Sequence, residues 1–200
     1  MKRLCEEAQK AGYVVSGFFT DEVLSKSGAR VGFDVVTVPQ FQRGVLARKT
    51  PAAAVGRKWP KTGQYFVDVS SFELLALPTL KINNPGEDAP LFIVDEIGRM
   101  EAHSNNFIDS INALLEDKNS VLCGSIAAPR YGHTVPFCEA IKAQEEVLTL
   151  NIKKSNREQV TSHFIAESLK AARKACRHVG NKGTKRLQQN SADEQKRFKK

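Results

Sequence analysis

Leu91-Phe92-Ile93-Val94-Asp95-Glu96-Ile97-Gly98-Arg99-Met100-Glu101 is the stretch that decides how this chain folds. Four apolar residues run without alternation and stop at two adjacent carboxylates. A strand that is apolar on both faces is covered on both sides, as the parallel strands of α/β layer proteins are. In such sheets ligands bind beyond the carboxyl ends of the strands. The run therefore predicts a buried strand that delivers Asp95 and Glu96 to a site.

Two readings of the carboxylates are open. They are either solvated acids at an ordinary strand end, or the pair that a Walker B strand presents in P-loop nucleotide hydrolases. In the second case the Asp holds Mg²⁺, usually through water, and a neighbouring Glu orients or deprotonates the attacking water. Gly98 permits a tight turn just after them, and Arg99 places a cation where a triphosphate would lie.

Composition narrows the class. Two hundred residues with 41% hydrophobic content suit one domain with a core of its own. No run approaches the roughly 18 apolar residues of a membrane span, and Met1 to Glu7 leads into no apolar signal core. An intracellular, cytoplasmic protein is expected, with a nuclear location also open. Cys5, Cys123, Cys138 and Cys176 are scattered, and His103, His133, His163 and His178 keep no ligand spacing, so structural thiols are expected rather than zinc. The net charge of +8 is unevenly placed: residues 170–200 carry 11 Lys/Arg and 2 Asp/Glu, which leaves 19 basic and 20 acidic residues before them. Basicity is a property of the tail, not of the domain.

From the amino terminus, residues 2 to 11 read as a helix ending at Gly12. Tyr13–Thr20 and Ala29–Val38 read as strands, antiparallel neighbours across Ser25-Lys26-Ser27-Gly28. Pro39–Thr62 reads as a polar loop whose Arg43, Arg48, Lys49, Arg57, Lys58 and Lys61 have no acid among them; it either is solvated or faces phosphates. Trp59 stacks on a base or anchors that loop. Gln64–Val69 is a strand, and Ser70 with Glu73 has capping-box spacing for a helix that Pro78 ends or kinks. After a loop over Asn83–Pro90 comes the deciding strand. Phe107, Ile108, Ile111, Leu114 and Leu115 form one helix face, and Val121–Ile126 is a second buried strand, left by a loop over Ala127–Thr134. A short helix around Val135–Ala143, a strand Val147–Leu150 and a helix opened by Ser155–Glu158 complete the order. Strands alternating with helices predict an α/β fold with a largely parallel sheet. A domain is expected over 1–175, and a basic, disordered tail over 176–200 that either solubilises the protein or weakly touches nucleic acid.

Several of these segments together resemble the cancer-related nucleoside-triphosphatases, small P-loop enzymes. They are Gly17-Phe18-Phe19-Thr20-Asp21-Glu22-Val23, Val31–Val36, Gly63–Val69, Phe72-Glu73 with Leu77-Pro78, Asp95–Glu101, and Asn156-Arg157, covering roughly residues 8 to 170 in matching order. The resemblance implies a P-loop three-layer sandwich and Mg²⁺-dependent hydrolysis of nucleoside triphosphates to diphosphates. It implies catalytic roles for Asp95 (on Mg²⁺) and Glu96 (on water), and a nucleotide site that takes in Ile93, Val94, Ile97, Gly98, Arg99 and Met100. Arg99 stands where Lys is usual. Arg43 and Arg48 would lie near the phosphates and Asn156-Arg157 near the base.

The chain also departs from that pattern. No G-x-x-x-x-G-K-[ST] loop, the source of backbone N–H groups for phosphates, occurs in the 200 residues. Either a native segment before Met1 supplies it, or the form is truncated and weak or inactive. A non-catalytic binding or regulatory module of the same fold is the alternative function. With the first strand missing, Leu91–Val94 is expected to have an unpaired edge.

Overall fold

The computed structural model describes residues 1–50, 59–82, 91–126, 128–129 and 134–176. The loop expected over Asn83–Pro90, Arg57 and Lys58, most of the Ala127–Thr134 loop and the tail beyond Cys176 lie outside the described residues.

Helix α1 (Lys2–Lys10) buries Leu4, Cys5 and Ala8, and ends at Ala11 before Gly12 turns the chain with φ +80°. Strands β1 (Val15–Leu24) and β2 (Arg30–Val38) form the expected antiparallel hairpin. Strands β3 (Arg43–Arg48) and β4 (Lys61–Thr62) arise inside the stretch expected to be loop. Antiparallel pairing to β2 forms β3, and Leu46 and Ala47 anchor it in the core. Strand β5 (Tyr65–Val67) follows. Helix α2 (Val69–Ala76) is capped by Asp68, whose Oδ1 accepts from the Ser71 N–H at 3.0 Å. Ser70 and Glu73 therefore do not form the cap. At Pro78 the helix tightens into a 3₁₀ turn, Leu77–Leu80.

Strand β6 (Leu91–Ile97), a 3₁₀ turn (Glu101–His103), α3 (Asn105–Glu116), β7 (Val121–Ile126), α4 (Pro136–Lys142), a 3₁₀ turn (Lys154–Asn156) and α5 (residues 157–176) complete the order. The turn precedes α5, so Ser155–Glu158 does not open it directly. No strand forms at Val147–Leu150, where Leu148 is 61% exposed. A β-prone run becomes a strand only when it pairs with a strand edge, and among the described residues this one pairs with none.

The sheet has the order β4-β5-β3-β2-β1-β6-β7. It is mixed rather than largely parallel. Only β1–β6 and β6–β7 are parallel, and the short links β1–β2, β2–β3 and β4–β5 leave room for hairpins and not for crossovers. The expected unpaired edge beside Leu91–Val94 is absent: Ile93 pairs with Gly17 of β1 on one side and with Cys123 of β7 on the other. β1 returns along β6 and occupies the place that had been assigned to a missing strand. Among the described residues the edges without a paired strand are the outer ones of β4 and β7.

Helices cover both faces, giving the three layers. Phe18, Val35, Leu46, Phe92 and Val94 pack under α2, α3 and α4, with Phe18, Phe72 and Phe107 edge to face at 5.4–6.0 Å. Val15, Phe19, Leu91, Ile93 and Cys123 pack under α1 and α5. Consecutive residues of β6 thus enter opposite cores, as its unbroken apolar run requires. Among the described residues no helix is long and apolar enough to cross a membrane.

Candidate functional site

The strand β6 stays in register with β1 as far as Asp95, opposite Phe19, while its ladder to β7 breaks between Val94 and Ile97. That irregularity turns Asp95 and Glu96 out of the regular pleat at the carboxyl end of the strand. Both are half-buried. Ile93 and Val94 are fully buried and contribute the strand itself. The Ser125 Oγ of β7 donates to Asp95 Oδ1. Leu91 pairs with Val121, so the fifth residues of the two parallel runs, Asp95 and Ser125, stand side by side.

Burial, and then the charge of Asp95, raise the Glu96 carboxyl above its ordinary value. Beyond it Gly98 is buried, Arg99 exposed and Met100 packed on the core. Glu101 is only 3% exposed, and burial pushes its carboxyl up to about 8. Cys138 of α4 donates its thiol to the Ile97 carbonyl at 3.3 Å and so ties α4 to the end of β6.

The structure thus gathers Asp95, Glu96 and Gly98 with Glu101, Ser125 and Cys138. The last three had been given no role from sequence. Aligning the two apolar runs at their first residues would have exposed Ser125; nothing local marks Glu101 as buried.

Arg43 and Arg48 lie on β3, three strands from β6; the row Asp95–Phe19–Val36–Arg43 puts Arg43 roughly 14 Å from Asp95 at the usual strand spacing, and Arg48 stands at the other end of β3, opposite Gly32. Acids from other strands hold them. Arg43 donates to Asp34 at 3.0 Å and to Asp21 at 2.6 Å, while Arg48 donates to Asp34 and to the Phe33 carbonyl. Asp21 also accepts from Lys2 of α1 at 3.1 Å. Burial pushes the Asp21 carboxyl up, but Lys2 and Arg43 outweigh it and leave it below its ordinary value. Asp34 is 8% exposed and serves both guanidiniums. Asp34→Ala is expected to lower stability by about 1–2 kcal/mol, discounted because Arg43 is half-exposed. A urea titration of the variant measures this, and a midpoint equal to wild type contradicts it.

Asn156 and Arg157 stand at the entrance to α5. The Asn156 side chain accepts from the Lys153 N–H at 2.7 Å and donates to the Asn151 carbonyl at 3.1 Å, fixing the turn. Arg157 is exposed, and the next residue, Glu158, binds Arg3 of α1 at 2.9 Å.

The NTPase family profile matches residues 1–165. The human cancer-related nucleoside-triphosphatase is 35% identical over 164 residues, covering 80% of this chain and 84% of its own. The solution structure of a human cancer-related nucleoside triphosphatase superposes with a TM-score of 0.68 at 34% identity, over 82% of this chain and 87% of that one. The crystal structure of THEP1 from the hyperthermophile Aquifex aeolicus gives 0.63 at 25% identity, over 80% and 88%. Match length, identity and fold agree: the chain belongs to the NTPase family.

Proposed function

We propose that the protein hydrolyses nucleoside triphosphates to the diphosphate and phosphate at the carboxyl end of β6, with Mg²⁺. The observation that carries this reading is the Asp95-Glu96 pair, with Asp95 tied to Ser125 of the parallel neighbour. The names of the relatives support the substrate class.

The donor set suits a hard cation. Mg²⁺ takes one or two carboxylates and completes its shell with water and phosphate oxygens. Asp95 supplies such an oxygen beside the Ser125 hydroxyl. Among the described residues no group of three or more His, Cys, Asp or Glu is arranged to hold a metal, which a site of this kind does not need. When bound, the ion offsets the charge that develops on the phosphates.

Glu96 is assigned to the water. Its raised affinity for a proton brings it nearer to the working range of a general base than an exposed carboxylate. Arg99, Arg43 and Arg48 are assigned to phosphate charge, and Asn156 and Arg157 to the nucleoside end. Phosphate binding by the two β3 arginines would compete with Asp34 and Asp21. The 200 residues carry no G-x-x-x-x-G-K-[ST], so slow turnover is expected of them. The second reading is a module of this fold that binds without catalysis.

The two variants Glu96→Gln and Asp95→Asn separate these readings. Glu96→Gln is expected to keep nucleotide affinity and lower single-turnover hydrolysis about 100-fold, because an amide cannot accept the proton of the attacking water. Asp95→Asn is expected to weaken Mg²⁺-dependent binding as well, since the amide has no charge to offer the ion. Binding and phosphate release are measured at several Mg²⁺ concentrations. Wild-type behaviour in both variants removes the catalytic reading and leaves the binding module.

A further inference from the structure

The two edges of the sheet are built differently. At one side β4 is two residues long, follows Pro60, and holds its lysine over the Phe66 ring, 5.1 Å from the centroid. Shortness, a proline and a lysine are means by which an edge strand is kept from pairing with another chain. β7, at the other side, has none of them. Val121-Leu122-Cys123-Gly124-Ser125-Ile126 is six residues long and contains no charge and no proline.

β7 is also made like an interior strand. Cys123 enters the core under α1 and α5, with Val121 packed against it, while Leu122 and Ile126 pack on the core under α2, α3 and α4. Apolar side chains on both faces belong to strands covered on both sides. β6 lies between two neighbours and buries Leu91 to Val94, whereas in β7 only Cys123 is buried and the other residues stay partly exposed. Among the described residues no backbone hydrogen bond reaches the outer N–H and C=O groups of β7, and Val147–Leu150 does not pair with them. Backbone groups at the margin of two apolar cores need partners.

A further strand supplies those partners, and β7 fits itself. When a twofold axis perpendicular to the sheet relates two copies, their β7 strands run antiparallel and each residue lies opposite one that points to the same face. With Gly124 at the axis, Leu122 of each copy stands beside Ile126 of the other. The core under α2, α3 and α4 then continues from one copy into the next. Like charges set opposite each other would bar a strand from its own copy, and β7 carries none. A partner of different chemistry would need a charged feature to recognise, which β7 does not offer.

We propose that β7 pairs antiparallel with β7 of a second copy of this chain, joining two seven-stranded sheets into one. The contact is independent of the roles given to Asp95 and Glu96. Six residues a side fall short of the roughly 800 Å² per partner of a standard interface, so the dimer is expected to exchange with monomer at a Kd on the order of 100 µM.

The test uses the 200-residue chain without substitutions. Sedimentation equilibrium from about 10 µM to about 1 mM is expected to show the mass rising toward that of two chains. In an equimolar mixture of ¹³C-labelled and unlabelled chain, isotope-filtered NOEs are expected between Hα protons of β7 in the two copies, and between Leu122 of one and Ile126 of the other. The outward-facing amides of β7 are expected to exchange about fourfold more slowly at about 1 mM than at about 10 µM, as the monomer fraction falls. A chain that stays monomeric at about 1 mM overturns the proposal, as does a dimer whose filtered NOEs arise elsewhere. Outward amides protected equally at both concentrations mean that residues of the same chain cover the edge, and they overturn it too.

Discussion

Gly17→Ala is expected to destabilise the protein by about 3–5 kcal/mol, from left-handed backbone strain and overpacking together. Gly17 has φ +126°, and a Cβ there would lie 1.9 Å from the Ile93 carbonyl oxygen and under 3 Å from the Ile93 C and N atoms. The obstacle is backbone on a central strand, so no rotamer change relieves it. β1 would have to move off β6, taking Phe18 from one core and Phe19 from the other. Against a total stability of about 5–15 kcal/mol, such a loss leaves little margin. Gly12→Ala is the control: its φ is +80° and nothing lies within 4 Å of the added carbon, so it carries strain alone, about 1 kcal/mol. Chemical denaturation of both variants measures the difference. A Gly17→Ala midpoint equal to that of Gly12→Ala contradicts the packing of β1 on β6.

Raising the pH from 5 to 9 is expected to lower wild-type stability far more than that of Glu101→Gln. The ordinary value for Glu101 is 4.5 and the folded value about 8, so over that range the unfolded chain releases a proton that the folded chain keeps. The stabilisation is complete below pH 4.5 and is lost as pH rises through about 8. At about 1.4 kcal/mol per unit the wild type loses roughly 4 kcal/mol relative to the variant between those two pH values. Glu96 shifts in the same direction, and Asp21 in the opposite one, stabilising the fold above its ordinary value. Both remain in Glu101→Gln, so the difference between the two melting-temperature profiles isolates Glu101. Parallel profiles would mean that Glu101 ionises like a surface acid.

Much of the fold was legible in the sequence because β6, an interior strand, carries a clear signal. An apolar run ending in Asp95-Glu96 has few interpretations, and the α3 stripe confirmed helical cover over it. β3 was hidden because Arg43-Gly44-Val45-Leu46-Ala47-Arg48 is short and charged at both ends, and its partner strand decides its state. Val147–Leu150 erred in the other direction, since β propensity without a partner makes no strand. Which strands flank Leu91–Val94 was beyond reach for a related reason: pairing joins residues far apart, and no local pattern records it. The arginines show the same limit at the level of charge. Arg43 and Arg48 have no acid nearby along the chain, yet they find Asp34 and Asp21 across β2 and β1. In the candidate site the paired carboxylates were legible, while Ser125 and Glu101 entered through register and burial.

The two halves of the sheet also differ in when they can assemble. Pairs such as Gly17 with Val38, and Gly32 with Arg48, close short loops and need little prior organisation of the chain. Val15 with Leu91, and Leu91 with Val121, join distant segments, and the loop entropy must be met before these contacts stabilise anything. The β1–β2–β3 meander is therefore expected to gain amide protection first in pulsed hydrogen exchange during refolding, with β6 and β7 following. Asp95, Glu96 and Ser125 all sit on the late half. The two carboxylates thus come together with Ser125 in the last cooperative step, and a partly folded chain has a sheet but no candidate site.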